Sequence, residues 1–218
     1  MKEILLDPDS PQTITESLEM SRQTLENGGV IVFPTDTIYG LGANAMDGDA
    51  VAKIYEIKKR DSGKPLSILV RDIAMAKRVA CIDSKAERIL EKIWPDSVTV
   101  ILRKKDTLPH ILTAGGESVA MRVSGNPFVS ELLGKLDFPI TATSANLAGE
   151  PNLVKAADIR DKFAGMVNAP DLFINGGDLE NRLPSTIVDL TDINNPRIVR
   201  MGMVGKDRLM DFFKKFLD

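Results

Sequence analysis

The chain has 218 residues, 43% of them hydrophobic and 27% charged, with a formal net charge of −3. That balance is ordinary for a globular domain, and its mildly acidic sum argues against a general nucleic-acid coat while allowing a local basic cleft. Cys81 is the only cysteine and His110 the only histidine, which excludes an internal disulfide and a zinc site of the Cys/His kind. A chain of this length suits one domain and buries roughly 70% of its unfolded surface without staples. The opening MKEILLDPDSPQ has no long apolar core, and nowhere do about 18 apolar residues run together. A cytoplasmic protein without a membrane span is expected.

In chain order, a short strand over Glu3 to Leu6 precedes a helix started by Ser10-Pro11, with Ile14, Leu18 and Leu25 in helical spacing. Gly28-Gly29 cap that helix. Val30 to Phe33 reads as a buried strand, and Pro34 ends it. Thr35, Asp36 and Thr37 then place hydroxyls and a carboxylate just past the strand. Gly40 and Gly42 let backbone lie close to a neighbour or turn. Asp47 is the N-cap of a helix from about Gly48 to Lys59, on which Val51, Ile54, Tyr55 and Lys58 share one face. Lys58 therefore continues an apolar stripe.

Leu66 to Val70 reads as a core strand, followed by helices over Ala74 to Val79 and Lys85 to Ile93. Ser97 to Arg103 and Val119 to Val123 are strands, and Asn126-Pro127 opens a helix through Leu136. Pro139 to Thr143 is a short strand, Ala156 to Phe163 a helix, and Leu172 to Ile174, Ser185 to Leu190 and Arg197 to Met201 are strands. The turn-rich NGGDLENRLP separates two of them, and an amphipathic helix over 207–217 closes the chain. Strands and helices alternate irregularly, so an open twisted mixed sheet with flanking helices, in one domain over 1–218, is the expected α/β architecture.

Lys58 and Arg60 are two apart, about 200° around a helix, so both face one ligand only if the helix ends near Lys59. Asp61-Ser62-Gly63 is a flexible turn that brings Lys64 round. The same three cations also suit a helix C-terminus, where the dipole favours positive charge. Arg122 has apolar neighbours in VAMRV and needs a partner if buried. With Thr35, Thr37 and the TSAN stretch at 143–146, these groups fit a pocket for a phosphate-bearing ligand. Neither G-x-x-x-x-G-K-[ST] nor a convincing G-x-G-x-x-G is present, so if a nucleotide binds, side-chain cations must do more of the work than a standard phosphate loop.

PTDTIYGLGANA, KKR…KPL, MRV…NP, TSAN and STIVD, in that order from about 28 to 202, resemble the YrdC/TsaC family of threonylcarbamoyl-AMP synthases. The resemblance implies a YrdC-like fold with a large concave positive cleft. It implies a nucleotidyltransferase that converts L-threonine, bicarbonate and ATP to L-threonylcarbamoyl-AMP and pyrophosphate. The product passes to a threonylcarbamoyl-transferase complex that modifies tRNA. Motif by motif, Thr35, Thr37, Arg122, Ala142 and Ser185 match positions around threonine. Arg60, Lys64, Ser118, Ser144, Asn152 and Arg200 match positions around ATP. Lys58, Arg60, Ser144 and Asn146 match the signature of the reacting anionic centre. Mg2+ is expected to arrive with ATP, with no metal site made by the protein.

Departures from the family pattern are KKRD in place of KGRP, Leu69 where histidine is frequent, Pro184 where glutamate is frequent, and Met201 after Arg200 in place of proline. The chain also ends near the point where longer relatives add a further domain. Two other readings compete: a module binding tRNA or double-stranded RNA through the same cleft, and the carbamoyl-transfer branch tied to hydrogenase maturation. The latter is disfavoured by a single cysteine.

Overall fold

In the computed structural model, which describes residues 1–179 and 183–217, the strands divide between two mixed sheets instead of forming the single sheet expected. The α/β class and the mixed pairing stand. Chain order is β1 (Lys2–Leu5), α1 (Pro11–Glu26), β2 (Ile31–Phe33), β3 (Gly40–Gly42), α2 (Gly48–Lys58), β4 (Ile68–Leu69), α3 (Ile73–Val79) and α4 (Ser84–Ile93). There follow β5 (Val98–Arg103), β6 (Ser118–Arg122), α5 (Pro127–Gly134), β7 (Ile140–Thr141), β8 (Thr143–Ser144), α6 (Ala156–Phe163), β9 (Leu172–Asn175), β10 (Thr186–Asp189), β11 (Arg197–Arg200) and α7 (Lys206–Leu217). Of the turn-rich stretch 175–184, Glu180, Asn181 and Arg182 lie outside the described residues.

The first sheet runs β1-β9-β2-β3-β8 and the second β11-β10-β5-β6-β4-β7. Burial on both faces explains why β2 is apolar throughout and β9 is apolar from Leu172 to Ile174. Ile31, Phe33, Leu172 and Ile174 pack with Leu18 and Leu25 of α1 and with Phe128, Val129 and Leu132 of α5. Val32 and Phe173 face the other way, into the larger core with Val51 and Ile54 of α2. The first sheet is thus covered on both faces.

Gly40 and Gly42 form a strand beside β2, where a turn or close approach was expected. The close neighbour is an aromatic ring: a Cβ on Gly42 would lie 2.8 Å from Phe33 Cε1. In the second sheet, Val98, Val100 and Leu102 of β5, Val119 and Met121 of β6 and Val188 of β10 enter the larger core. Their neighbours in sequence must then face the opposite side.

Candidate functional site

That opposite side is the floor of a cavity of about 370 Å3, within the size range of small-molecule sites. Thr99 and Ile101 of β5, Ser118, Ala120 and Arg122 of β6, and Ser185 and Ile187 at β10 line it at every second position. The walls come from the first sheet and its loops: Thr35, Thr37, Tyr39 and Gly40 on one side, Ala142 to Ser144 on another. Arg60, Asn152, Val199 and Arg200 stand round the opening. Small and hydroxylated residues on the floor leave the space that larger side chains would fill.

Ten of the thirteen residues expected at the site line this one cavity: Thr35, Thr37, Arg60, Ser118, Arg122, Ala142, Ser144, Asn152, Ser185 and Arg200. The other three do not. Lys64 is exposed and outside the lining, and its carbonyl accepts from Tyr55 Oη at 3.0 Å and from Arg60 Nε at 3.4 Å. Lys58 and Asn146 lie behind Ser144. Lys58 is 1% exposed, and its ammonium donates to Ser144 O at 2.5 Å, Asn146 O at 2.7 Å and Asn146 Oδ1 at 3.0 Å. Three acceptors match the three hydrogens of an ammonium. Burial first, and the Arg60 charge second, lower its pKa to about 7.

The reason Lys58 reaches that spot lies in α2. Asp47 caps the helix by accepting from the amides of Asp49 and Ala50, which fixes the phase that turns Lys58 inward beside Ile54 and Tyr55. Lys59 then takes a left-handed conformation, φ 49°, and Arg60 leaves the helix toward the cavity, where Nη2 donates to Pro65 O at 3.3 Å. The carbonyl of Lys58 accepts from Ala148 N at 2.8 Å, and Asn146 Nδ2 donates to Glu150 O at 2.6 Å. The last turn of α2 therefore holds the segment 144–150 from two sides.

Hydroxyl protons can be assigned by counting. Thr35 Oγ1 lies 2.7 Å from Ile38 O and must donate to it, while accepting from Thr37 N at 3.0 Å. Across the 3.0 Å between the two threonine hydroxyls, Thr37 is then the donor, and only its lone pairs face the cavity. Thr99 Oγ1 and Ser185 Oγ form a second buried pair at 2.7 Å. Arg200 Nη2 donates to Ser185 O at 2.9 Å. Burial and the like charge of Arg122 both lower the Arg200 pKa. Ala142 N donates to Ser67 O at 2.8 Å and its carbonyl accepts from Ser67 Oγ, so only a spare lone pair remains for a ligand.

The partner that a buried Arg122 requires is Asp36. Arg122 Nη1 donates to Asp36 Oδ1 at 2.7 Å and to Oδ2 at 2.6 Å. Ser97 Oγ donates to Oδ2 at 2.8 Å, and Ser124 Oγ donates to Oδ1. Burial raises the Asp36 pKa, but the Arg122 charge and the two serine hydroxyls outweigh it and leave the carboxyl below its ordinary value. Sequence reasoning placed Asp36 past the strand without a role. Thr99 was read only as strand, and its signal is its alternation with Val98 and Val100.

Among the described residues lining the cavity, three are cations and none is a carboxylate. No group of three His, Cys, Asp or Glu able to hold a metal occurs among the described residues, and no helix there is long and apolar enough to cross a membrane. His110 and Cys81 are exposed.

The Sua5/YciO/YrdC family model, described as "Telomere recombination", matches residues 23–202. The threonylcarbamoyl-AMP synthase of Bacillus subtilis is 34% identical over 92% of this chain and 58% of its own length. The crystal structure of Pyrococcus abyssi Sua5 complexed with L-threonine superposes with a TM-score of 0.85 at 29% identity, covering 97% of this chain and 60% of that one. Escherichia coli YciO has a TM-score of 0.77 at 30% identity and covers 94% and 96% of the two chains. The chain thus spans about six-tenths of the two longer relatives and nearly all of YciO.

Proposed function

The chain belongs to the Sua5/YciO/YrdC family, and from that membership we propose that it makes L-threonylcarbamoyl-AMP and pyrophosphate from L-threonine, bicarbonate and ATP. The observation that carries the reading is the lining itself: Arg60, Arg122 and Arg200 with no carboxylate beside a ligand, facing the hydroxyls of Thr37, Ser144 and Ser185. Such a cavity favours an anionic substrate and a small polar one together. The threonine complex of Pyrococcus abyssi Sua5 supports the amino-acid half.

The threonine carboxylate meets Arg122, and its side-chain hydroxyl donates to the lone pairs of Thr37. Ser185 and Ala142 complete that end. The neutral amine adds to carbon dioxide with loss of a proton, or to bicarbonate with loss of water, and an oxygen of the resulting carbamate then attacks the α-phosphorus of ATP, expelling pyrophosphate. Negative charge gathers on the phosphoryl oxygens and the leaving group, so the chain contributes fixed cations and alignment. Arg60 and Arg200 supply the charge, with Ser118, Ser144 and Asn152 as polar contacts. Lys58 and Asn146 act behind Ser144 by holding its segment. Mg2+ arrives on the triphosphate, whose charge it neutralises. The adenylate is then passed on, in the cytoplasm, to a threonylcarbamoyl transferase acting on tRNA.

The test is incubation with threonine, bicarbonate and ATP, reading pyrophosphate and the adenylate by mass. Threonine-dependent release of both is expected. ATP consumption indifferent to threonine overturns the reading.

A further inference from the structure

Arg122, Ser97 and Ser124, which all donate to the Asp36 carboxylate, join it to elements that are far apart in the chain. Asp36 belongs to the loop between β2 and β3, in the first sheet. Arg122 ends β6 in the second sheet, while Ser97 and Ser124 flank β5 and β6. The pair is therefore a strut between the two sheets, with Arg122 in the cavity lining and Asp36 behind it. Both partners are largely withdrawn from water, with side chains 7% and 15% exposed for Arg122 and Asp36. Thr37 is the next residue after Asp36, so the strut also sets how far the Thr37 lone pairs stand from the Arg122 fork.

We propose that Asp36 is a positioning residue for amino-acid selection. By engaging Arg122 Nη1 it leaves the Nε–Nη2 edge of the guanidinium to the cavity, and it fixes the spacing of that edge from Thr37. Among the described residues no acceptor meets Nε or Nη2 of Arg122, so that edge can receive a carboxylate in the two-bond geometry a guanidinium favours. A lysine at 122, or an arginine free to rotate, offers charge without that geometry. Two fixed points, an edge for the carboxylate and lone pairs for a hydroxyl, measure the distance between the two groups of one amino acid. The inference rests on the threonine reading for its substrate, though the strut itself does not.

The decisive variant is Asp36→Asn, which keeps the shape and removes the charge. Threonine KM should rise about 10- to 100-fold while kcat stays within about threefold, and the preference for threonine over serine should shrink about tenfold. In an Arg122→Lys background the same change should add less than about threefold, because the partner through which Asp36 acts is gone. An equal cost in both backgrounds overturns the proposal. So does an unchanged threonine-to-serine ratio.

A second readout needs no substrate. In arginine-labelled protein, the Arg122 Nη1–H signals, on the nitrogen that Asp36 holds, should be slow to exchange in the wild type and fast in Asp36→Asn. An Arg122 signal indifferent to the substitution overturns the strut even if the enzyme proves to act on another amino acid. Wild-type protein that binds no threonine would sink the functional reading, and the exchange measurement would still decide the strut. Should Asp36→Asn not fold, the Ser97→Ala, Ser124→Ala double variant takes its place. It should loosen the same signal, and no change in it overturns the proposal.

Discussion

Replacing Lys58 by methionine separates the ammonium from its stem. The side chain keeps nearly the same volume and stays in the apolar stripe, while Ser144 O, Asn146 O and Asn146 Oδ1 lose their charged donor. Hydrogen bonds to a charged group are worth about 1.5–3 kcal/mol each, so the gross loss is about 4–9 kcal/mol. Two acceptors keep another donor: Ser144 O accepts from Asn146 N at 2.9 Å, and Asn146 Oδ1 from Ser144 Oγ at 2.5 Å. Removing the ammonium also relieves its own burial. The net cost falls to about that of one orphaned carbonyl, about 1–3 kcal/mol, or a melting temperature lower by about 2–12 °C. The protein should fold. Activity should suffer more than stability, because Ser144 lines the cavity and a 1 Å misplacement can cost about 100-fold in rate. Heat denaturation and threonine-dependent pyrophosphate release, measured on the same preparation, check both parts. A Lys58→Met enzyme with unchanged kcat and KM would refute the view that this ammonium organises the site.

Lys58 also predicts opposite pH trends. Folded Lys58 gives up its proton near 7, whereas an unfolded lysine keeps it to about 10.5, so the unfolded state binds the extra proton between those values. Stability should therefore rise with pH from about 7 to 10.5, by at most about 1.4 kcal/mol per unit, while activity falls as the third hydrogen leaves. Urea midpoints at pH 7 and 9 read the first trend, and Lys58→Met should abolish it. Arg60→Ala removes a half-buried cation at the opening and should leave the melting temperature nearly unchanged while lowering kcat/KM for ATP about 30- to 1000-fold, read by the same pyrophosphate assay. Gly202→Ala should be much worse for the fold, since its Cβ would lie 2.1 Å from Pro184 O and 2.5 Å from Ser185 C; soluble yield and melting temperature should both drop. Thr186→Val should cost about 2–5 kcal/mol in denaturant titration, because the buried hydroxyl donates to Val204 O and accepts from the amides of Gly202 and Val204.

How far the sequence carries depends on whether a residue's environment is written locally. Lys58 is legible because helical spacing alone puts it on the face of Val51 and Ile54, and burial of a cation there demands acceptors. Arg122 is half legible. Its apolar strand says that it needs a carboxylate, but six other elements separate it from Asp36, and nothing in PTDT distinguishes a strut from a turn. The strands of β4, β7 and β8 are two residues each, too short for any period, so which sheet they join is decided by pairing partners far along the chain. That is why two sheets replaced the expected one. Lys64 shows the converse limit: a flexible Asp61-Ser62-Gly63 turn permits a cation to swing toward a ligand without obliging it to. The backbone instead turns Lys64's carbonyl to Tyr55 and Arg60, which makes the residue a brace for Arg60. A cavity assembled from both sheets therefore needs its cations held by groups that read as ordinary turn residues, and Asp36 and Lys64 are two such groups.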